Sequence, residues 1–197
     1  MRVSQFHAHA SDVISALPFR LALLAAFFLA LAGCGPRVDI HYIPTPEPVV
    51  EAMLEMAEIG EGDVLYDLGS GDGRIPIAAA KKFGVRAVGI EIDPQLIKVA
   101  RRNAEEAGVS HLVEFRESDL FATDFSDADV VTLYLGDMLN LRLRPQLLEQ
   151  LEPGARVVSH DFNMGDWAPE ERRVVANRPV FKWTVPETFI PGFGGVD

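Results

Sequence analysis

Cysteine is nearly absent: one residue in 197, so no disulfide closes within the chain and a cysteine-built zinc site is not expected. Positive charge is also scarce, with 18 basic residues against 29 acidic ones and a net charge of −11. A nucleic-acid binder takes most of its affinity from a basic face that neutralises phosphates, so neither DNA nor RNA is expected as a partner. The chain lacks the run of about 20 apolar residues that a comfortable bilayer span requires. It also lacks a G-x-x-x-x-G-K-[ST] loop, a helix with paired histidines and a convincing Ser-His-Asp order, which sets aside P-loop nucleotide hydrolysis, metal hydrolysis and triad chemistry. What remains, 48% hydrophobic and 24% charged residues, is an ordinary globular composition of one-domain length.

One apolar stretch lies near the N-terminus. Residues 21–33 read L-A-L-L-A-A-F-F-L-A-L-A-G, between Arg20 and Cys34. The run has the length of a signal-peptide core, and Leu31-Ala32-Gly33-Cys34 resembles the lipobox of bacterial lipoproteins, in which the chain is cut before the cysteine and the cysteine receives lipid. Residues 1–33 are therefore expected to be a signal peptide or membrane anchor, with Cys34 as the lipidation site and the protein membrane-associated. An uncut anchor with the domain facing the cytoplasm is the alternative. Pro36, Pro44, Pro46 and Pro48 mark residues 34–48 as an extended arm, because each proline restricts itself and the residue before it. The domain proper is expected over residues 49–197.

There, short apolar strands alternate with helical periods. Strands are expected at 64–68, 87–90, 112–115, 130–135 and 155–159. Helices are expected at 49–60, 75–83, 94–107 and 139–151, with glycines at or just past several of their ends. This alternation indicates an α/β fold with a parallel sheet covered on both faces. Residues 172–186 carry two β-rich runs around Asn177-Arg178-Pro179, which read as a C-terminal antiparallel hairpin.

Between the first strand and the next helix stands Asp67-Leu68-Gly69-Ser70-Gly71-Asp72-Gly73. Alternate glycines let the backbone turn sharply and approach a ligand. The helix that follows directs free N–H groups and its positive dipole end at that ligand. The spacing is G-x-G-x-G rather than the dinucleotide G-x-G-x-x-G, and Asp67 and Asp72 would repel a pyrophosphate. A ligand with an ammonium group suits the acid better, which points to S-adenosylmethionine. Glu91, 24 residues after Asp67, ends the second strand where ribose hydroxyls need acceptors. Asp119, after the third strand, would accept from an adenine amine with Leu120 or Phe121 packed on the ring; the other reading of Asp119 is a turn or cap residue.

These residues resemble a class I, seven-strand SAM-dependent methyltransferase. Asp67 to Ile75 (D-L-G-S-G-D-G-R-I) and Ile77-Ala78-Ala79-Ala80-Lys81-Lys82 resemble, more narrowly, the small lysine methyltransferase family that acts on the mitochondrial ATP-synthase c-subunit and on adenine nucleotide translocase. The likeness continues at Tyr42 to Pro46, Ser118-Asp119-Leu120, Ala155 to Val158 and Trp167 to Glu170. It implies a doubly wound, mostly parallel Rossmann-like sheet. It also implies a cofactor site of Asp67 for the methionine amino group, Gly69, Ser70, Gly71 and Gly73 for close approach, Glu91 with Ile92 for the ribose, and Asp119 with Leu120 for the adenine. Tyr42 and Thr45 of the arm would close over the cofactor, or belong to a simple linker. The acceptor it implies is an amine, on protein lysine or a small molecule.

Tyr134, Asp137, His160 and Asp161 fall at the carboxyl ends of strands and are the candidate catalytic residues. His160 would relay a proton or serve as a hydrogen-bonded structural histidine. Tyr134-Leu135-Gly136-Asp137 is not the N-P-P-[YF] of methyltransferases acting on bases or glutamine. Trp167 is expected in the core more than in an acceptor channel. Only 38 residues follow the fifth strand as read here, which leaves the usual last helix short or missing. A non-catalytic tethered module that keeps the fold, and an NAD-dependent oxidoreductase, are the competing readings.

Overall fold

The computed structural model describes residues 42–187. The apolar run, Cys34 and most of the arm lie outside them. Among the described residues no helix is long and apolar enough to cross a membrane.

After an extended start comes α1 (Glu47–Met56), then β1 (Val64–Leu68), α2 (Arg74–Phe83), β2 (Arg86–Glu91), α3 (Pro94–Glu106) and β3 (Val113–Glu117). A short 3-10 turn (Leu120–Ala122) leads to β4 (Val130–Leu133), α4 (Asp137–Gln150), β5 (Arg156–His160), β6 (Glu171–Val175) and β7 (Arg178–Thr184). The seven strands form one sheet in the order β3-β2-β1-β4-β5-β7-β6. The first five run parallel, and β7 enters antiparallel between β5 and β6. The expected parallel sheet and terminal hairpin are both present.

Several boundaries differ from expectation, the end of the first helix by four residues, and two of them have a local reason. The first helix starts at Glu47 with Pro48 in its first turn. Proline suits that position, since its φ is already helical and its missing N–H would have had no partner, so the last two residues of the expected arm are helical. β4 stops at Leu133, two residues early, because the chain turns away toward Gly136, whose φ is +113°.

Strand alternation sorts the core onto two faces. Leu65, Ala87, Val130, Val158 and Val180 face one side, under α1, α2 and α3. Tyr66, Leu68, Val88, Val131 and Val157 face the other, under α4 and against Trp167 and Trp183. Trp167 is thus a core residue: it is buried, its carbonyl accepts from the Trp183 indole N–H at 2.7 Å, and the two rings lie 5.9 Å apart. Truncating a buried tryptophan of this kind costs about 3–5 kcal/mol. No helix intervenes between β5 and β6; that stretch is a loop held by the Met164–Trp167 bridge.

The alternation also sets the site. Asp67 lies two residues beyond Leu65, Thr132 two beyond Val130, and His160 two beyond Val158. All three therefore face the α1 side at the carboxyl ends of the central strands. In an open α/β sheet this end is where ligands bind.

Candidate cofactor and acceptor site

The loop Gly69 to Gly73 rests on the end of β2: the N–H groups of Gly69 and Ser70 both donate to the Ile90 carbonyl, at 2.8 and 2.9 Å. Gly69, Gly71 and Gly73 have φ values of +88°, +54° and +81°, where only glycine is free of strain. Their surroundings differ. A β-carbon on Gly73 would lie 2.4 Å from Phe115 Cζ and 2.9 Å from Ala100 Cβ, so this glycine allows the loop to pack on β3 and α3. One on Gly69 would meet the Leu135 side chain, and one on Gly71 the Tyr42 ring, at 2.6 and 2.4 Å. These two glycines line the crevice, with Leu135 and Tyr42 against them. α2 begins beyond Gly73, and the Arg74 N–H of its first turn donates to Asp72 Oδ1 at 3.3 Å beside the same region.

Asp67 is 3% exposed, and its Oδ1 accepts from the Thr132 hydroxyl at 2.8 Å. Burial raises its pKa to about 7; the Thr132 bond works against the rise, and the neighbouring charges of Glu91 and Asp72 add to it. An ammonium placed beside it would favour its ionised form. Glu91 bridges two loops. Its Oε2 accepts from Gly71 N–H at 2.9 Å, and its Oε1 accepts from Ile92 and Asp93 N–H at 2.8 and 2.9 Å. A carboxylate offers about four acceptor positions, so these backbone bonds leave room for a further hydroxyl. Ile92 beside it is an exposed apolar side chain.

Asp119 is exposed and its Oδ1 accepts from Phe121 N–H at 2.9 Å, the turn-capping role. Its second oxygen stays available. The segment it starts is fixed to α4: the Arg142 guanidinium lies 3.7 Å from the Phe121 ring centroid, and Gln146 Nε2 donates to the Phe121 carbonyl. Leu120 is half-buried behind it.

The start of the described chain crosses this crevice. Tyr42 covers Gly71. Thr45 is buried, with its hydroxyl 3.2 Å from His160 Nδ1 and its carbonyl accepting from Arg74 Nη1 at 2.8 Å. Arg74 also grips Asp72 with two bonds of 2.9 and 2.7 Å. Burial, and then Asp72, keeps the Tyr42 hydroxyl protonated beyond its usual range.

His160 itself is fully buried. Its ring stacks on Tyr134 with centroids 3.9 Å apart, and the Phe162 ring stacks with Tyr134 at 5.9 Å. Its Nε2 has no hydrogen-bond partner and lies 3.6 Å from the Asp161 carboxylate. Burial lowers its pKa, against a pull upward from Asp161, so it is neutral near pH 7. Asp161 holds φ = +65°, and Phe162 N–H donates to the His160 carbonyl across it at 2.8 Å. That is the rare, strained hand of γ-turn, worth about 1–3 kcal/mol of strain. The turn swings the carboxylate back beside His160 and Tyr134, whose hydroxyl pKa is raised by burial and then by Asp161.

Thr45, Tyr134, His160 and Asp161 therefore form one cluster, while Asp137 stands exposed at the first residue of α4, outside it. Sequence reasoning missed Thr132, Leu135, Arg74, Phe162 and Arg178. Thr132 needs the β1–β4 register to be placed opposite Asp67, and Arg178 needs the hairpin to bring it to Asp161. Arg74 stood in plain view, two residues after Asp72.

The family model of the ANTKMT methyltransferase domain matches residues 67–171, from Asp67 in β1 to the start of β6. The chain belongs to this methyltransferase family. Its strand order is the class I methyltransferase order, as the resemblance implied. A protein-lysine N-methyltransferase of Saccharolobus islandicus is 47% identical over 133 residues, 67% of this chain and 83% of that protein. The human ATP-synthase c-subunit lysine N-methyltransferase is 37% identical over 75% of this chain, and the match spans 64% of its length. A crystal structure of an RNA methyltransferase from Salinibacter ruber in complex with S-adenosyl-L-homocysteine is 59% identical with a TM-score of 0.75, covering 78% of this chain and all of that one.

The cofactor of the family is S-adenosylmethionine. The crevice fits it by its own chemistry: a buried acid that an ammonium would ionise, two glycines that keep β-carbons out of the crevice, and a strand-end glutamate beside exposed Ile92. An NAD site would set Asp67 and Asp72 against a pyrophosphate, so the oxidoreductase reading falls.

Proposed function

We propose that this methyltransferase acts on the ε-amino group of lysine in a protein acceptor. The observation that carries the reading is the 47% identity to a protein-lysine N-methyltransferase across most of that enzyme. The Asp161 carboxylate beside Tyr134, at the ends of β5 and β4, supports it, since such a group can pair with a cationic amine. When bound, S-adenosylmethionine supplies a methyl group on a sulfonium, which passes to the neutral amine as the carbon–sulfur bond breaks, leaving S-adenosylhomocysteine and a methylated ammonium that returns its proton to solvent.

The chain's own residues bind and orient. Asp67 takes the methionine ammonium, Glu91 with Ile92 the ribose, and Asp119 with Leu120 the adenine. Gly69 and Gly71 admit the cofactor to the backbone, and the Tyr42–Thr45 segment covers it. Holding nucleophile and methyl in line about 3 Å apart supplies much of the rate in such a transfer. Tyr134 and Asp161 meet the acceptor. His160 serves as a positioning residue: fully buried, with Nδ1 occupied by Thr45, it holds the arm against the cluster instead of reaching the acceptor. Membrane association through residues 21–34 is part of the proposal and rests on the sequence of that segment.

The likeness to the Salinibacter RNA methyltransferase favours a second reading, methylation of RNA. The chain's net charge of −11 weighs against it, because phosphate binding needs a basic face. Transfer of labelled methyl from S-adenosylmethionine into a bacterial extract separates the two. Label removed by protease supports lysine methylation; label removed by ribonuclease overturns it.

A further inference from the structure

Asp161 has a partner that the cofactor and acceptor roles leave unused. Arg178, the first residue of β7, sends Nη1 to Asp161 Oδ2 at 2.7 Å. The two ends of the pair differ in burial: the Asp161 side chain is 11% exposed and that of Arg178 is 51% exposed. The carboxylate is fixed. It sits on the γ-turn, and the Asp161 N–H donates to the Pro179 carbonyl at 2.8 Å. The cation comes from outside, on a side chain that follows the tight turn Ala176–Asn177, and it makes one bond where an arginine gripping a carboxylate with its whole fork makes two.

We infer that Arg178 is a stand-in for the acceptor: in the acceptor-free protein its guanidinium occupies the place at the Asp161 carboxylate that the lysine ammonium takes. This rests on the lysine reading above. Exchange of one cation for another keeps the charge of the cluster constant, and Arg178 can turn into solvent without being drawn from a buried site. A neutral acceptor could not make the exchange, for it would leave a largely buried carboxylate unpaired beside an unpartnered His160 nitrogen. Arg178 and Asp161 together therefore select a cationic acceptor. The lysine docks as an ammonium; as it gives its proton to solvent ahead of attack, Arg178 returns to Asp161 and the carboxylate stays paired.

The test is steady-state kinetics of the full chain with labelled S-adenosylmethionine and poly-L-lysine as acceptor, alongside calorimetry with S-adenosylhomocysteine. Arg178→Gln lowers KM for poly-L-lysine about two- to five-fold, the range for release of an exposed ion pair. Arg178→Lys, which keeps the charge, stays near the unsubstituted value. Asp161→Asn raises KM more than about tenfold; asparagine tolerates the left-handed backbone and so keeps the turn. S-adenosylhomocysteine affinity is unchanged in all three. An unchanged or raised KM in Arg178→Gln overturns the inference and makes Arg178 a structural support for Asp161. If the unsubstituted chain binds S-adenosylhomocysteine yet transfers nothing to any amine, the lysine reading itself has failed, which is a separate result.

Discussion

The Tyr42 ring sits so close to Gly71 that a β-carbon on the glycine would lie 2.4 Å from Cε2. The arm and the glycine loop thus form one surface over the crevice. Gly73 faces an equally close neighbour, Phe115, but one that is buried at 4% exposure where Tyr42 is 43% exposed. Gly71→Ala is expected to fold, because the Tyr42 ring can yield, with stability reduced by about 1–2 kcal/mol for the left-handed alanine. Gly73→Ala adds a core clash to the same strain and should lose several kcal/mol or fail to fold. Thermal melts of the two variants rank them, and equal losses would contradict the division of roles.

Asp67 links stability to pH with a definite sign. Its pKa rises from the ordinary 3.8 to about 7 on folding. The fold favours the protonated acid, so this contribution is present below about pH 4 and is lost as pH rises through 7. At about 1.4 kcal/mol per unit the loss is on the order of 4 kcal/mol. Asp67→Asn should therefore stabilise the domain at about pH 8 relative to the unsubstituted chain, and much less at about pH 4. Denaturant titrations at both pH values check it; a constant difference would contradict it.

The same carboxylate predicts cofactor linkage. An ammonium ligand prefers ionised Asp67, so S-adenosylhomocysteine affinity should climb as pH rises through about 7 and then level off, with about one proton released on binding below that pH. Calorimetry in buffers of different ionisation enthalpy reads the proton. Asp67→Asn should bind at least about 100-fold more weakly with no proton release, since a buried charge pair is worth about 3–5 kcal/mol when one partner is removed.

Glu91 ties the glycine loop to the turn after β2 through three backbone N–H groups. Glu91→Ala orphans those donors as well as the ribose acceptor. It should weaken S-adenosylhomocysteine binding by about ten- to a hundred-fold and lower stability by about 1–3 kcal/mol. Cofactor affinity equal to the unsubstituted protein would remove Glu91 from the site.

Thr45 holds the arm to His160. Thr45→Val keeps the shape and leaves Nδ1 of a fully buried histidine without a partner, a loss of about 1–3 kcal/mol. Amide exchange over residues 42–46 should speed up. Unchanged exchange would mean that Arg74 alone fastens the arm.

Local pattern carried the fold well. The apolar strands, the glycine stops and the Asn177-Arg178-Pro179 turn each came close to their element, because burial on one or both faces writes itself into periodicity. The errors fell where a single residue decides: Pro48, which starts a helix instead of ending an arm, and Gly136, which cuts β4 short. The glycine loop was legible because Asp67 to Gly73 follow one another along a single β-loop-α stretch. Tyr134, His160 and Asp161 were legible one by one from their strand ends, but their meeting with Thr45 and Arg178 was not, because the cluster is assembled from the arm, β4, β5 and the hairpin. Thr45 meets His160 across 115 residues, and Arg178 meets Asp161 only through β7 pairing with β5. His160 read from its position as a proton relay or a structural histidine; the structure buries it fully, and depth is a tertiary property.

The most direct test of lysine methylation is chemical. The purified chain is incubated with labelled S-adenosylmethionine and membrane protein from a bacterial source, and the product is hydrolysed to amino acids. Label in Nε-methyl-lysine, absent with Asp67→Asn, is the predicted result. Label confined to nucleosides or to other amino acids, with none in methyl-lysine, would contradict it.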